Sequence, residues 1–131
     1  MEKLNEAPTI ADAIGLEVLK VEPERVTGRM PVDARTHQPY GLLHGGASVV
    51  LAETLGSVGS HFLVADQGKA AVGVEVNANH VGAARDGFVV ANGKLVHAGR
   101  RTHLWQVEIT HESSKKLVCT GRLTVMVIPS K

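Results

Sequence analysis

Two adjacent glycines stand directly before a long apolar stretch of the chain. Gly45 and Gly46 precede the segment from Ala47 to about Val64, whose composition predicts a helix. The first N–H groups of a helix have no acceptor within it, and the helix dipole is positive at that end. Glycine lets a ligand approach these groups closely, so the pair favours binding of a carbonyl oxygen that becomes an oxyanion during a reaction.

One ionisable residue, Glu53, lies in the middle of the predicted helix. Its neighbours are apolar on nearly every side: Ala47, Val49, Val50, Leu51, Ala52, Leu55 and Val58. Such a helix is expected to be buried, and an unpaired charged carboxylate there costs several kcal/mol as an order of magnitude. Glu53 is therefore paired, protonated or placed where a ligand arrives. We favour the last, with Glu53 as a nucleophile or general base.

Other polar side chains near Glu53 are able to position a substrate or a water molecule. Ser57 follows Glu53 by four residues and therefore lies on the same helix face, within reach of the carboxylate or of an attacking water. Gln38 and His44 approach from the preceding loop. An oxyanion site, a carboxylate and positioning groups are together what the transfer of an acyl group to water requires.

Each of these residues also has a purely structural interpretation. The glycine pair can be a tight turn, Gln38 an ordinary loop residue and Ser57 a part of the helix surface. His44 can hold the loop through a backbone hydrogen bond, and Glu53 can form a buried pair with a basic residue. Their occurrence within one short stretch favours the chemical interpretation.

The segments before the long helix are predicted from turn residues and hydrophobic periodicity. They are a short helix, the two strands of a hairpin and a loop: residues 9–14, 16–22, 26–32 and 33–43. Thr9 and Asp12 have the spacing of a capping box, and Gly15 is expected to end the short helix.

After the long helix, apolar residues alternate with a period of two, which predicts four more strands. Short turns join them, so an antiparallel meander is expected. In the first of them, Val72, Val74, Val76 and Ala78 are expected to share one face. The result is an α+β fold with an antiparallel sheet of about six strands against one helix. Because apolar residues also lie on the other face of the sheet, a homo-oligomer is expected.

Composition and charge bound the class of protein. The 131 residues suffice for one domain, 1–131, and a net charge of +1 without a basic run argues against nucleic acid as a partner. The polar N-terminus is unlike a signal peptide and no apolar run is expected to span a membrane, which predicts a cytoplasmic protein without a membrane partner. The seven histidines lack metal-site spacing, so no metal is expected. Cys119 is expected to be an inert core residue.

Two basic residues follow Gly99 in a predicted turn. Arg100 and Arg101 can hold phosphates through charge-assisted hydrogen bonds. They can equally form a solvated turn, and the residues by themselves leave both interpretations open.

The run QPYGLLHGGASVVLAET resembles the signature of hotdog-fold acyl-CoA thioesterases. Within that family it is most similar to the phenylacetate-degradation-type branch, and closest to bacterial 1,4-dihydroxy-2-naphthoyl-CoA hydrolases. The stretches VNANHVGAAR and HAGRRTHLWQVEI resemble the same group, so the likeness spans nearly the whole chain. It implies a sheet wrapped around one long helix, dimers that join two sheets edge to edge, and usually tetramers built from these dimers. Active sites are then expected at the dimer interface.

The resemblance also assigns roles to single residues. It makes Glu53 the catalytic carboxylate and Gly45 the oxyanion donor. His44 and Gln38 match residues that contact the thioester or the water, and Ser57 matches the helper on the next helical turn. No cofactor is implied, because coenzyme A is part of the substrate.

The positions that match coenzyme A contacts lie in three later segments. They are Gly73, His80, Val81, Gly82, Ala83, His97, Ala98, Gly99, Arg100, Arg101 and Thr102. Close relatives often carry polar or basic residues where this chain has Gly82 and Ala83. That departure makes Arg100 and Arg101 the better candidates for contacts to the phosphates.

The expected activity is hydrolysis of an acyl-CoA, most consistent with an aromatic acyl group. Glu53 would attack the thioester carbonyl or activate water, and the sequence leaves both routes open. One alternative is a non-catalytic acyl-CoA-binding module, which has no use for a buried carboxylate. The other is a hydratase or dehydratase, in which His44 and Glu53 would imitate a His–Glu pair.

Overall fold

The computed structural model describes residues 7–130. In chain order its elements are α1 Ile10–Ile14, β1 Glu17–Glu22, β2 Arg25–Pro31, α2 Gly45–Val64, a 3₁₀ turn Ala65–Gln67, β3 Lys69–His80, β4 Phe88–Ala98, β5 Thr102–His111 and β6 Leu117–Pro129. The short helix, the early hairpin and the long helix are confirmed. The Thr9 N–H donates to the Asp12 carboxylate at 2.7 Å, and Gly15 ends α1 at φ 70°.

The six strands form one antiparallel sheet in the order β1-β2-β4-β5-β6-β3, with α2 packed against it. The expected α+β arrangement, a sheet around one long helix, is confirmed. The continuous meander is wrong, because β3 pairs with β6 and β4 pairs with β2. Residues 81–87 join β3 to β4, and this link is long enough to carry the chain from the sheet edge to its interior.

The core lies between α2 and the sheet. Leu51 and Leu55 of α2 are fully buried, as are Trp105 of β5 and Leu123 of β6. A fully buried side chain of this size contributes about 1.5–3 kcal/mol, so these contacts dominate the attachment of the helix. The sheet covers only one side of α2: Glu53 and Ser57 are half-buried and Phe62 is 51% exposed. The expectation of a helix buried on all sides is therefore wrong within one chain.

By length and apolar composition alone, the 23 residues Gly45–Gln67 would be able to cross a membrane. The expectation that no apolar run reaches that length is wrong. The burial of Leu51 and Leu55 against the sheet accounts for this composition in the way usual for the core helix of a globular protein.

A β-bulge interrupts β3 between Gly73 and Glu75. The inserted residue, Val74, is 51% exposed and Val72 is 42% exposed, whereas Val76 and Ala78 pack against the core. The prediction that these four side chains share one face is wrong for Val72 and Val74. The extra residue shifts the alternation of faces by one position, which turns Gly73 towards α2.

Candidate active site

The loop before α2 is fixed by hydrogen bonds to β2 and to the link between β3 and β4. The Thr36 hydroxyl donates to the Pro31 carbonyl at 2.8 Å. The His44 N–H donates to the Thr36 carbonyl at 2.7 Å, and the Leu43 N–H donates to the Ala84 carbonyl at 2.8 Å. These contacts hold the N-terminus of α2 beside the end of β3.

His44 caps α2. Its Nδ1 accepts from the Gly46 N–H at 2.7 Å, and its carbonyl accepts from the N–H groups of Ala47 and Ser48 at 3.0 and 3.4 Å. An Nδ1 that accepts leaves the proton of the neutral imidazole on Nε2, so Nε2–H is a free donor. The Gly45 N–H has no acceptor within residues 7–130. One backbone donor is thus left open at the positive end of the helix.

Glu53 faces the bulged strand. A Cβ built on Gly73 would lie 2.6 Å from Glu53 Oε2, so the carboxylate occupies the space that a side chain at position 73 would fill. Throughout residues 7–130, Glu53 has neither an ion pair nor a hydrogen bond. The buried pair with a basic residue is therefore absent from the described part of the chain. The carboxylate is half-buried and open to a ligand.

The other two candidates on this side have different surroundings. The Gln38 side-chain oxygen accepts from the Tyr40 N–H, and the Gly41 N–H donates to the Gln38 carbonyl at 2.9 Å. Gln38 therefore also stabilises its own turn, in which Gly41 has φ 77°. Ser57 lies one helical turn beyond Glu53, about 6 Å along the axis. Between the Glu53 and Ser57 side chains the described structure has no hydrogen bond.

The first coenzyme A candidates after Gly73 lie beside the helix start. A Cβ on Gly45 would be 2.7 Å from His80 Nε2, so the imidazole lies over Gly45. The N–H groups of Val81 and Gly82 donate to the Val118 carbonyl at 2.9 and 3.2 Å, and Ala83 follows them in the link to β4. A Cβ on Gly82 would collide with the Leu117 carbonyl. Close packing on β6 thus explains the glycine at position 82.

The remaining candidates, His97 to Thr102, lie at the end of β4, in the turn of residues 99–101 and at the start of β5. Met126 of β6 pairs with Thr102 on one side and with Val72 on the other. The turn before Thr102 is therefore level with the beginning of β3, and one strand, or about 10 Å across the sheet, separates the two. His80 lies at the opposite end of β3, about 26 Å along the strand. Arg100 and Arg101 are exposed. Within one chain, the coenzyme A candidates that begin at His80 are therefore far from those that begin at His97.

Ser60, His103 and Trp105 form a buried polar cluster that was not among the residues predicted from the sequence. The Trp105 Nε1–H donates to Ser60 Oγ at 2.8 Å, and Ser60 Oγ lies 2.7 Å from His103 Nδ1. The alternation of β5 contained the signal, because His103 is in phase with the buried residues Trp105, Val107 and Ile109.

Among the titratable residues outside these clusters, Cys119 and Asp33 have pKa values shifted by their surroundings. Burial raises the pKa of the Cys119 thiol, which is 1% exposed, as expected for an inert core residue. Hydrogen bonds from Arg35 lower the pKa of Asp33 to about 2. The described residues contain no group of three His, Cys, Asp or Glu side chains close enough to hold a metal ion.

Comparison with known proteins identifies the family. The sequence profile of the Thioesterase superfamily matches residues 40–118, which include both the start of α2 and Glu53. The chain belongs to the thioesterase superfamily. As a member of this hotdog-fold family it is an enzyme that hydrolyses thioesters.

Individual relatives agree with this assignment. The 1,4-dihydroxy-2-naphthoyl-CoA hydrolase of Escherichia coli is 52% identical over 99 residues, which are 76% of this chain and 71% of that protein. The proofreading thioesterase EntH of Cronobacter turicensis is 40% identical over 120 residues, 92% and 86% of the two chains. A crystal structure of a thioesterase from Pseudomonas aeruginosa superposes with a TM-score of 0.88 at 46% identity, covering 92% of this chain and 86% of that chain.

Proposed function

We propose that this thioesterase hydrolyses an acyl-CoA to the free acid and coenzyme A. The observation that supports this most directly is the pairing of an open N–H on Gly45 with a carboxylate, Glu53, that has no partner in the described chain. Gly45 lies at the positive end of α2, which stabilises negative charge. Glu53 lies eight residues further, about 12 Å along the helix axis, so in the proposed dimer the two groups that act on one carbonyl come from two copies of the chain. Nucleophilic attack on a thioester carbonyl requires both an oxyanion donor and a carboxylate of this kind.

In the proposed reaction the thioester oxygen accepts from the Gly45 N–H, with the His44 Nε2–H as a second donor. A Glu53 oxygen then attacks the carbonyl carbon and expels the coenzyme A thiolate, which leaves a mixed anhydride that water hydrolyses. In the alternative, Glu53 takes a proton from water, the resulting hydroxide attacks the carbonyl, and the coenzyme A thiolate is expelled to leave the free acid. Gln38 and Ser57 position the water. No cofactor takes part, and coenzyme A enters as part of the substrate.

The proposed acyl group is aromatic, such as 1,4-dihydroxy-2-naphthoyl or hydroxybenzoyl. The E. coli and Listeria monocytogenes relatives named 1,4-dihydroxy-2-naphthoyl-CoA hydrolase, at 52% and 37% identity, support the first. An apolar pocket distinguishes two acyl groups that differ by one methylene by only about 1–3 kcal/mol, so the preference has to be measured on a range of substrates. Ranking a panel of aromatic and aliphatic acyl-CoAs by kcat/KM tests the acyl preference.

The proposed assembly is a cytoplasmic homo-oligomer, a dimer that pairs again into a tetramer. Two observations support it: β3 is an edge strand, and exposed apolar residues, including Val72 and Val74, lie on it. A free edge strand offers unpaired N–H and C=O groups to a second copy. Pairing two β3 strands would also bring the coenzyme A candidates that begin at His80 in one chain towards those that begin at His97 in the other.

The decisive experiment replaces Glu53 with glutamine, which keeps the shape and removes the charge. Glu53→Gln should lose most of the thiol release from benzoyl-CoA, about 100-fold or more, and keep the parental melting temperature. The matched control is Glu108→Gln, which replaces an exposed glutamate on β5 and should keep parental turnover.

Parental kcat/KM in Glu53→Gln would refute the role of this carboxylate. Binding of benzoyl-CoA by the parent without thiol release would instead favour the acyl-CoA-binding module. Loss of the double bond of crotonyl-CoA would favour the hydratase.

A further inference from the structure

The imidazole of His80 lies beside the open N–H group at the start of α2. A Cβ on Gly45 would be 2.7 Å from His80 Nε2, 3.0 Å from Cδ2 and 3.1 Å from Cε1, so the Nε2 end of the ring points at Gly45. An acyl group whose oxygen accepts from the Gly45 N–H would therefore lie next to this nitrogen.

The backbone around His80 is fixed by β6. His80 pairs with Cys119, which is 1% exposed. The N–H groups of Val81 and Gly82 both donate to the Val118 carbonyl, at 2.9 and 3.2 Å. The imidazole is thus held at the end of a strand, and a strand positions a reacting group more precisely than a free loop does.

The ring of His80 has no structural hydrogen bond. Within residues 7–130, neither of its nitrogens has a partner, so a neutral ring can both donate to and accept from a ligand or water. Two other histidines near the link of residues 81–87 differ from it. His37 Nε2 is 2.9 Å from the Arg85 carbonyl, and His111 Nε2 is 3.0 Å from the Asp86 carbonyl.

The nucleophilic route of the proposed hydrolysis needs a base in its second step. Once Glu53 is joined to the acyl group in the mixed anhydride, its carboxylate can no longer take a proton from water. His44 cannot serve, because its Nδ1 already accepts a backbone N–H at 2.7 Å and its Nε2 carries the proton. The side chains of Gln38 and Ser57 are not bases at neutral pH. At the start of α2, this leaves His80.

We propose that His80 is the general base that hydrolyses the mixed anhydride, an inference that rests on the proposed acyl-CoA hydrolysis by the nucleophilic route. In the proposed dimer, Gly45 and His80 come from one copy of the chain and Glu53 from the other.

The two steps then use different residues. In the first step, a Glu53 oxygen bonds to the acyl carbon and the C–S bond breaks. In the second step, His80 Nε2 takes a proton from water, the hydroxide oxygen bonds to the acyl carbon, and the bond from that carbon to Glu53 breaks. The free acid leaves, the Glu53 carboxylate is restored, and His80 passes its proton to solvent.

His80→Gln removes the base and leaves the first step intact. With benzoyl-CoA, one equivalent of thiol per active site should be released at the parental rate, followed by turnover about 100-fold slower. Because kcat/KM reports only the steps up to release of the thiol, kcat and KM should fall together and kcat/KM should stay near the parental value. Stopped-flow detection of the thiol measures the burst and the slow phase, and the exposed position of His80 should leave the melting temperature at the parental value.

The slow second step should also trap the covalent intermediate. Mass spectrometry of rapidly quenched His80→Gln should show the chain heavier by one benzoyl group, and the same variant carrying Glu53→Gln as well should lack this adduct. Added imidazole should restore part of the turnover of His80→Ala, because it can supply the missing base. Asn79→Ala is the matched control, since Asn79 precedes His80 on β3 with its side chain on the opposite face, and it should keep parental kcat.

Three results would overturn this role of His80, and each would leave the proposed hydrolysis intact. Parental kcat in His80→Gln would show that no base is needed at this position. A raised KM at parental kcat would make His80 only a contact to coenzyme A. Equal losses of kcat and kcat/KM, with neither burst nor adduct, would exclude a separate second step. The proposed function itself would fail if the parent released no thiol from any acyl-CoA of the substrate panel.

Discussion

At the start of α2 the chain satisfies some backbone donors and leaves one open. His44 supplies acceptors to the N–H groups of Gly46, Ala47 and Ser48, and within residues 7–130 only solvent or a ligand can accept from Gly45. The structural role considered for His44, a backbone hydrogen bond, is thus present. The same bond also presents Nε2–H, so one side chain caps the helix and offers a donor to a substrate.

These two roles of His44 can be separated by substitution. His44→Ala should lower the free energy of unfolding by about 1 kcal/mol, because the cap is lost. His44→Ser should keep most of the parental stability, because serine caps well. Both should lose about 100-fold in kcat/KM, because neither has the Nε2–H donor.

Melting temperatures and thiol release, measured on the same preparations, check this prediction. If His44→Ser has parental kcat/KM, His44 serves only as a cap.

Gly73 sets the position of the proposed catalytic carboxylate. Gly73→Ala should lower kcat/KM by about 10- to 100-fold at nearly parental stability, because the new Cβ would lie 2.6 Å from Glu53 Oε2 and push the flexible carboxylate aside. Thiol release and thermal unfolding measure the two effects.

Gly93→Ala is the matched control, since its Cβ would meet no atom closer than 3.5 Å. Equal activities of the two variants would show that the position of Glu53 is not set by Gly73.

At the scale of elements, glycines on α2 allow the helix to lie close to the sheet. A Cβ on Gly56 would collide with Leu123, and one on Gly59 would lie 2.5 and 2.6 Å from ring atoms of Trp105 and 2.7 Å from Val26. The helix is therefore held at a distance that only glycine allows. The bulge in β3 acts at the same scale, because it turns Gly73 towards Glu53.

Gly59→Ala should destabilise the protein despite the better helix propensity of alanine. Alanine gains about 1 kcal/mol in propensity, and overpacking against a rigid indole costs about 1–3 kcal/mol. Urea unfolding at fixed protein concentration should show a net loss of up to about 2 kcal/mol.

Gly93→Ala again provides the comparison and should be neutral or slightly stabilising. A Gly59→Ala variant more stable than the parent would show that α2 can move away from the sheet at little cost.

At the scale of the whole molecule, the free edge of β3 decides how copies associate in the proposed oligomer. Val74→Asp should shift the mass measured by light scattering from oligomer to monomer and reduce thiol release, because a charge replaces an apolar contact on the edge strand.

Val96→Asp is the control, on the interior strand β4 with the same exposure of 51%. It should retain at least a dimer. An unchanged mass for Val74→Asp would place the interface elsewhere.

The sequence by itself determined the local features of this protein. The caps of α1, the start of α2 at the glycine pair and the alternation within β5 and β6 follow from interactions between residues a few positions apart. The resemblance in the stretch from Gln38 to Thr54 predicted the family, and the comparisons confirmed it. The roles of Glu53 and Gly45 stay predictions until the variants are measured.

Only the tertiary structure decided which distant segments meet. It placed β3 beside β6, inserted the bulge that brings Gly73 to Glu53, and joined Ser60 to His103. Hydrophobic periodicity describes one segment at a time, whereas strand partners, bulges and buried polar contacts depend on packing between segments far apart in the chain. The half-exposure of Glu53 has the same origin, because it depends on the sheet covering only one side of α2.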